Sequence, residues 1–151
     1  MGNISNLNEN DLISKNEAGL AKVFIYNSQK SMAVAAAKEL RRKINKVLST
    51  KAELSIIFAA APSQLEFLKN LVSATDIPWQ KIIAFHMDDY VELSSDSPQR
   101  FSNWLERHLF SKVSFKKVFK IPVDGNPKNI CSTYDKNLNK KAIDIGCLGI
   151  G

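Results

Sequence analysis

Cysteine is scarce: only Cys131 and Cys147 occur in 151 residues, far apart and without CxxC spacing. A disulfide framework or a cysteine-based zinc site is therefore not expected, and a reducing cytoplasm fits best. Histidine is equally sparse, and His86 and His108 are too isolated to argue a metal site. His86 reads as a core-edge or site-wall residue, His108 as a helix-surface residue. No apolar run approaches the ~18 residues that cross a bilayer. The opening MGNISNLNENDL is polar and lacks the cationic-then-apolar order of a secretory signal. Basic residues are dispersed as RRK at 41–43 and KK at 116–117 and 140–141, with no aromatic interleaving. No stacking platform results, so neither nucleic acid nor membrane is an expected partner.

What is present suits a soluble globular domain: 44% hydrophobic and 24% charged residues, in a chain long enough to bury a substantial core. The net charge of +6 favours anions, whether phosphorylated metabolites or nucleic acid, but a lysine-rich solvated surface is the plainer reading.

Periodicity divides the chain. Residues 1–20 read as an irregular or helical lead-in, and residues 21–151 as one α/β domain. VFIY at 23–26 is a short strand. Apolar positions Val34, Ala37, Leu40, Ile44, Val47 and Leu48 predict a helix over 28–48, capped by Ser28 or Ser31. LSIIFAA at 54–60 is a second strand, followed by a helix over 63–73 with Pro62 in its first turn. The third strand spans 81–87. Phe101, Trp104, Leu105, Leu109 and Val113 share one face of a helix over 100–113 and read as core. A strand at 118–121 ends at Pro122 and the turn Asp124-Gly125-Asn126-Pro127. A helix over 130–138 and a last strand over 143–150 complete the pattern, in which Cys147 is a small apolar filler. Strands and helices alternate with crossovers long enough to join parallel strands. The predicted fold is a Rossmann-like α/β/α sandwich with a mainly parallel sheet.

In such sheets ligands sit at the carboxyl ends of the strands, near a topological switch point. Three strand ends are notable there. In AAAPSQ, small residues such as Ala60 and Ala61 let backbone amides approach an anion at a helix N-terminus. The plainer reading is a tight turn with an N-cap serine. MDDY at 87–90 places two carboxylates at the mouth of the sheet. Partial desolvation and the neighbouring charge can raise a carboxyl pKa and suit it to act as a general base. The alternative is an exposed turn, or an aspartate capping backbone amides. LGIG at 148–151 suits close approach of a ligand, or merely terminates a strand. The sequence stops on that strand with no covering helix, as a portion of a longer protein would.

Taken together, these segments resemble the glucosamine-6-phosphate deaminase (isomerase) family. FHMDDYVEL followed by DSPQRFSNWLERHLFSKV is similar to the family's F-N-M-D-E-Y-V-G-L block and the aromatic-rich helix after it. NPKNICSTYDKNL and IDIGCLGIG resemble the next helix and the strand leading into the family's glycine loop, so the likeness covers roughly residues 20–151. It implies a fold shared with ribose-5-phosphate isomerase and CoA transferases, and conversion of glucosamine 6-phosphate to fructose 6-phosphate and ammonia without metal or organic cofactor. It also implies a cytoplasmic homo-oligomer acting on a small sugar phosphate. By position, Asp88 matches the proton-abstracting aspartate, Asp89 stands where the family has Glu, and Tyr90 matches its tyrosine. Gly149 and Gly151 match glycines lining the sugar. The family's T-G-x-T-P phosphate loop is here AAAPS, without Gly or Thr; Ser63, through its hydroxyl and amide, is the expected phosphate ligand and Gln64 a second. The ring-opening histidine, its acidic partners and the distal phosphate ligands are expected beyond Gly151, so these 151 residues alone are expected to be inactive.

Two other readings use the same fold. One is a 6-phosphogluconolactonase-like hydrolase, against which the Met-Asp-x-Tyr block argues. The other is a non-catalytic sugar-phosphate-binding module, consistent with the altered loop. A receiver-like signalling domain would need a second acidic cluster after an early strand, and VFIYNS has none.

Overall fold

A computed structural model describes residues 11–149. The first element is an antiparallel hairpin of β1 (Leu12–Ala18) and β2 (Ala21–Tyr26), paired from Leu12 opposite Tyr26 to Ala18 opposite Ala21. Gly19, at φ +61°, supplies the left-handed residue that so tight a turn needs. Two expectations are corrected here. Leu12–Ala18 is a strand, not irregular or helical, and Ala21–Tyr26 pairs with it rather than joining the parallel sheet. The physical reason lies in the burial of LISKNEA. Nearly all its side chains are exposed, so cross-strand hydrogen bonds hold it and no apolar alternation marks it.

Beyond the hairpin, chain order follows the sequence closely. Ser28 caps α1 (Gln29–Leu48) by accepting from the Ser31 amide at 3.1 Å, and the helix buries Ala33, Val34, Ala37, Leu40 and Ile44. Next come β3 (Leu54–Phe58), a short 3₁₀ turn at Pro62–Gln64, α2 (Leu65–Val72) and β4 (Ile82–His86). Helix α3 (Phe101–Leu105) continues as a π-helical turn over Glu106–Phe110, closed by the Ser111 amide donating to the Glu106 carbonyl at 3.1 Å. β5 (Lys117–Phe119), α4 (Pro127–Asn139) and β6 (Ile145–Cys147) follow. α4 starts three residues earlier than its apolar pattern suggests. Asn126 caps it by accepting from the Lys128 amide at 3.0 Å, with Pro127 in the first turn.

β3, β4, β5 and β6 form one parallel sheet in the order β5-β4-β3-β6. Alternate residues of β4 face opposite layers. Ile82 and Ala84 pack with Phe58, Leu68, Leu105 and Leu109 in the core shared with α1, α2 and α3. Ile83 and Phe85 face α4, where Phe85 stacks on Phe119 at 4.9 Å and meets Tyr134 edge-on at 6.3 Å. The α/β architecture with helices on both faces is therefore present, on four parallel strands. From β3 the chain runs outward through β4 to β5 and then returns to the far side of β3 as β6. The direction of winding reverses between β3 and β6, which puts the ligand crevice at their carboxyl ends.

Candidate functional site

Two of the singled-out segments close that crevice. Beyond β3 the Ala59 amide donates to the Cys147 carbonyl at 3.0 Å, extending the ladder and drawing the ends of β3 and β6 together. Gly149 then lies so close to the loop after β3 that a Cβ there would stand 3.3 Å from Ala61 Cβ, 3.4 Å from Gln64 Nε2 and 3.9 Å from Ser63 Oγ. A larger residue would require Ala61 or the Gln64 amide to give by a few tenths of an ångström, so the two loops meet closely here. Gln64 is buried and its Oε1 has no hydrogen-bond partner among the described residues, an expensive state for an amide unless a ligand or further polypeptide supplies a donor. Neither the Pro62–Gln64 turn nor α2 has a side-chain cap. Ser63 is thus not the N-cap that the plainer reading assigned it, and its exposed hydroxyl remains available. Ala60 is half-buried against the core, so only its backbone is offered. A cavity of about 470 Å³ opens between α1, α2 and β6, with Ser63, Gln64 and Gly149 lining it alongside Met32, Phe67 and Leu148.

The acidic pair lies one strand away. The Met87 amide donates to the Phe58 carbonyl at 3.1 Å, so the segment after β4 leaves the sheet beside the segment after β3. The two adjacent carboxylates then part company. Asp88 is exposed and lies outside the walls of the cavity. Asp89 turns inward. Its Oδ1 accepts from the Tyr90 and Phe101 amides at 2.9 and 3.0 Å, and its Oδ2 from the Ser102 amide and hydroxyl at 3.2 and 2.6 Å. Asp89 is therefore a remote N-cap for α3, twelve residues away in sequence, which leaves it no free oxygen for a substrate. Arg100 Nη2 also reaches Asp89 Oδ2 at 3.2 Å, and both side chains are almost fully buried. Burial alone would raise the Asp89 carboxyl, but hydrogen bonds from Ser102, Tyr90 and Phe101 outweigh it and hold the group below the usual carboxylate range. Tyr90 is half-exposed, with its ring tilted against Phe101 at 4.9 Å.

Of the residues singled out from sequence, Ala61, Ser63, Gln64 and Gly149 come together. Asp88, Asp89 and Tyr90 sit on the neighbouring strand end, and Gly151 lies outside the described residues. Arg100 was missed as anything but a helix start. A cation at a helix N-terminus opposes the macrodipole, and that conflict was the available signal of a nearby carboxylate. Burial pushes the Cys147 thiol up to about 12, which fits a filler rather than a nucleophile. Among the described residues no cluster of three metal-ligating side chains occurs, and no helix is long and apolar enough to cross a membrane.

His86 is wholly buried beneath this site. The Ile121 amide points at its Nδ1 at 3.5 Å, and its Nε2 stands 3.8 Å from Asp89 Oδ2. Burial pushes the imidazole below its usual 6.5; the charges of Asp89 and Asp88 oppose this, and that of Arg100 adds to it. The unfolded chain therefore takes up this proton first as pH falls. The His86 contribution to stability is complete above roughly pH 6.5 and declines below it, towards the lowered folded value. Urea midpoints at pH 7.5 and 5.5 should thus fall for the wild type and converge for His86→Asn. Equal slopes in the two proteins would remove His86 from the account.

Comparison with known proteins bears on the family and the fold. The model of the family described as glucosamine-6-phosphate isomerases/6-phosphogluconolactonase matches residues 27–151. A glucosamine-6-phosphate deaminase of Lactobacillus acidophilus is 34% identical over 99 residues, covering 64% of this chain and 41% of that protein. One of Clostridium acetobutylicum is 28% identical over 135 residues, covering 86% and 55%. Among solved structures, 6-phosphogluconolactonase from Plasmodium vivax superposes with a TM-score of 0.77 at 18% identity, covering 91% of this chain and 50% of that one. A monomeric glucosamine-6-phosphate deaminase gives 0.64 at 16% identity, covering 75% and 48%. The chain spans about half the length of the curated relatives it matches. With a family match over residues 27–151, the chain belongs to the glucosamine-6-phosphate isomerase/6-phosphogluconolactonase family.

Proposed function

We propose that this chain carries the proton-abstracting portion of an amino-sugar-phosphate deaminase, with Asp88 as the base. The observation that carries the reading is the division of labour between the two aspartates. Asp89 is consumed by α3 and Arg100, while Asp88 is held exposed at the carboxyl end of β4. In the open-chain form of glucosamine 6-phosphate, Asp88 removes the C2 proton and the electron pair moves into the C1–C2 bond, giving an enediolamine. Protonation at C1 leaves an imine at C2. Water adds to that imine and ammonia departs, giving fructose 6-phosphate. The developing oxyanion at O1 needs a donor, and ring opening needs an acid. We place both, with the distal phosphate ligands, in sequence outside these 151 residues, consistent with matches that cover only 41% and 55% of the relatives. The loop at 60–64 seats the phosphate through backbone amides and Ser63, and Gly149 leaves room for the sugar. The reaction uses no metal or organic cofactor.

Lactone hydrolysis is the second reading, favoured by the closer superposition of a 6-phosphogluconolactonase, 0.77 against 0.64 for the deaminase. Side-by-side assays of glucosamine 6-phosphate and 6-phosphogluconolactone separate the two. They are run on the 151-residue chain and on the longest natural polypeptide containing it. We expect ammonia release from the longer polypeptide and none from the 151 residues alone. Lactone hydrolysis without ammonia release would replace the deaminase reading.

A further inference from the structure

We propose that Arg100 is a positioning residue that fixes the loop carrying Asp88. It is the largest fully buried side chain of the described residues, 1% exposed, and it lies at the start of a helix where the dipole opposes a cation. Such a group persists only when its surroundings compensate it. Here the compensation comes almost entirely from one loop. Arg100 Nη1 donates to the Tyr90 carbonyl at 3.0 Å and to the Leu93 carbonyl at 2.7 Å, while Nη2 meets the Asp89 carboxylate at 3.2 Å. Three points of residues 89–93 are thereby wrapped around one guanidinium, immediately after Asp88. Its Nε has no partner among the described residues, and its side-chain bonds all go to the loop.

The geometry also explains why the exposed carboxylate is the one at 88. On its upstream side, the Met87 amide is bonded to the Phe58 carbonyl. On its downstream side, Asp89 is fastened to both Arg100 and the first amides of α3. Asp88 is suspended between two anchors, and none of these bonds uses its side chain. A lysine at position 100 could neutralise Asp89, but a single ammonium on a flexible stem cannot reproduce a planar fork that spans a carboxylate and two carbonyls. Charge and grip are therefore separable by mutation. The functional consequence rests on the reading of Asp88 as the base; the structural one does not.

Two measurements on Arg100→Lys and Arg100→Gln test this. Amide hydrogen exchange of the 151-residue chain should accelerate at least about tenfold at the Tyr90, Phe101 and Ser102 amides, all of which donate to Asp89, in both variants, with β3 and β4 protected as in the wild type. If Arg100→Gln fails to fold, Arg100→Lys still reports, because it retains the charge. In the longer polypeptide, Arg100→Lys should lower kcat on the order of 10- to 100-fold while KM stays within about twofold, as a misplaced base requires. Unchanged exchange at these three amides in Arg100→Lys would overturn the proposal, as would an effect confined to KM. A wild-type polypeptide that releases no ammonia would instead overturn the role of Asp88 and leave the exchange result to decide the grip.

Discussion

Asp89→Ala is expected to destabilise the fold by roughly 3–5 kcal/mol, the penalty for removing one partner of a buried ion pair and stranding the other. Three losses coincide at this one position. Arg100 loses its only carboxylate within the described residues, with both side chains nearly inaccessible to solvent. The Phe101 and Ser102 amides lose the cap that starts α3. The Ser102 hydroxyl, also buried, loses its acceptor. Urea unfolding should show a lower midpoint at an unchanged slope, the sign of lost stability without a change in the surface exposed. Asp88→Ala, one residue earlier, touches no such network and should stay within about 0.5 kcal/mol of wild type. A destabilisation of less than about 1 kcal/mol in Asp89→Ala would mean that the pair is solvated in solution, and the positioning account would fall with it.

Much of the fold could be read before the structure because its signals were redundant. The helix at α1 has an apolar stripe and a serine cap that agree with each other, and β4 has an apolar run ending at charge. The hairpin carried neither kind of signal. Its strands are exposed on both faces, and its register depends on backbone pairing and on Gly19, not on burial. The start of α4 was hidden for a related reason: Pro127 and Asn126 define it locally, while the apolar positions begin only at Ile130.

At the site, sequence reasoning found the right loops but not the assignment within them. Asp88 and Asp89 are indistinguishable as letters, and both were candidates to meet substrate. What separates them is a partner twelve residues onward, brought back by a loop with no periodicity of its own. The clue was chemical, an arginine where a helix disfavours one. Gln64 shows the converse. It was a weaker candidate than Ser63 by motif, yet it is the one buried beside Gly149 with an oxygen that has no partner among the described residues.

The second large effect concerns Asp88 itself. Removing a positioned general base costs on the order of 100- to 10,000-fold, and Asp88→Asn keeps the size and polarity of the side chain while abolishing its capacity to accept the C2 proton. Since the residue is exposed and outside the Arg100 network, the variant should fold as the wild type does, so lost turnover cannot be ascribed to lost structure. The most direct test is ammonia release from glucosamine 6-phosphate by Asp88→Asn and wild type, in the longest natural polypeptide containing this chain and with matched unfolding midpoints. A fall in kcat of at least about 100-fold is expected. Undiminished release by the variant would contradict the assignment of Asp88 as the base.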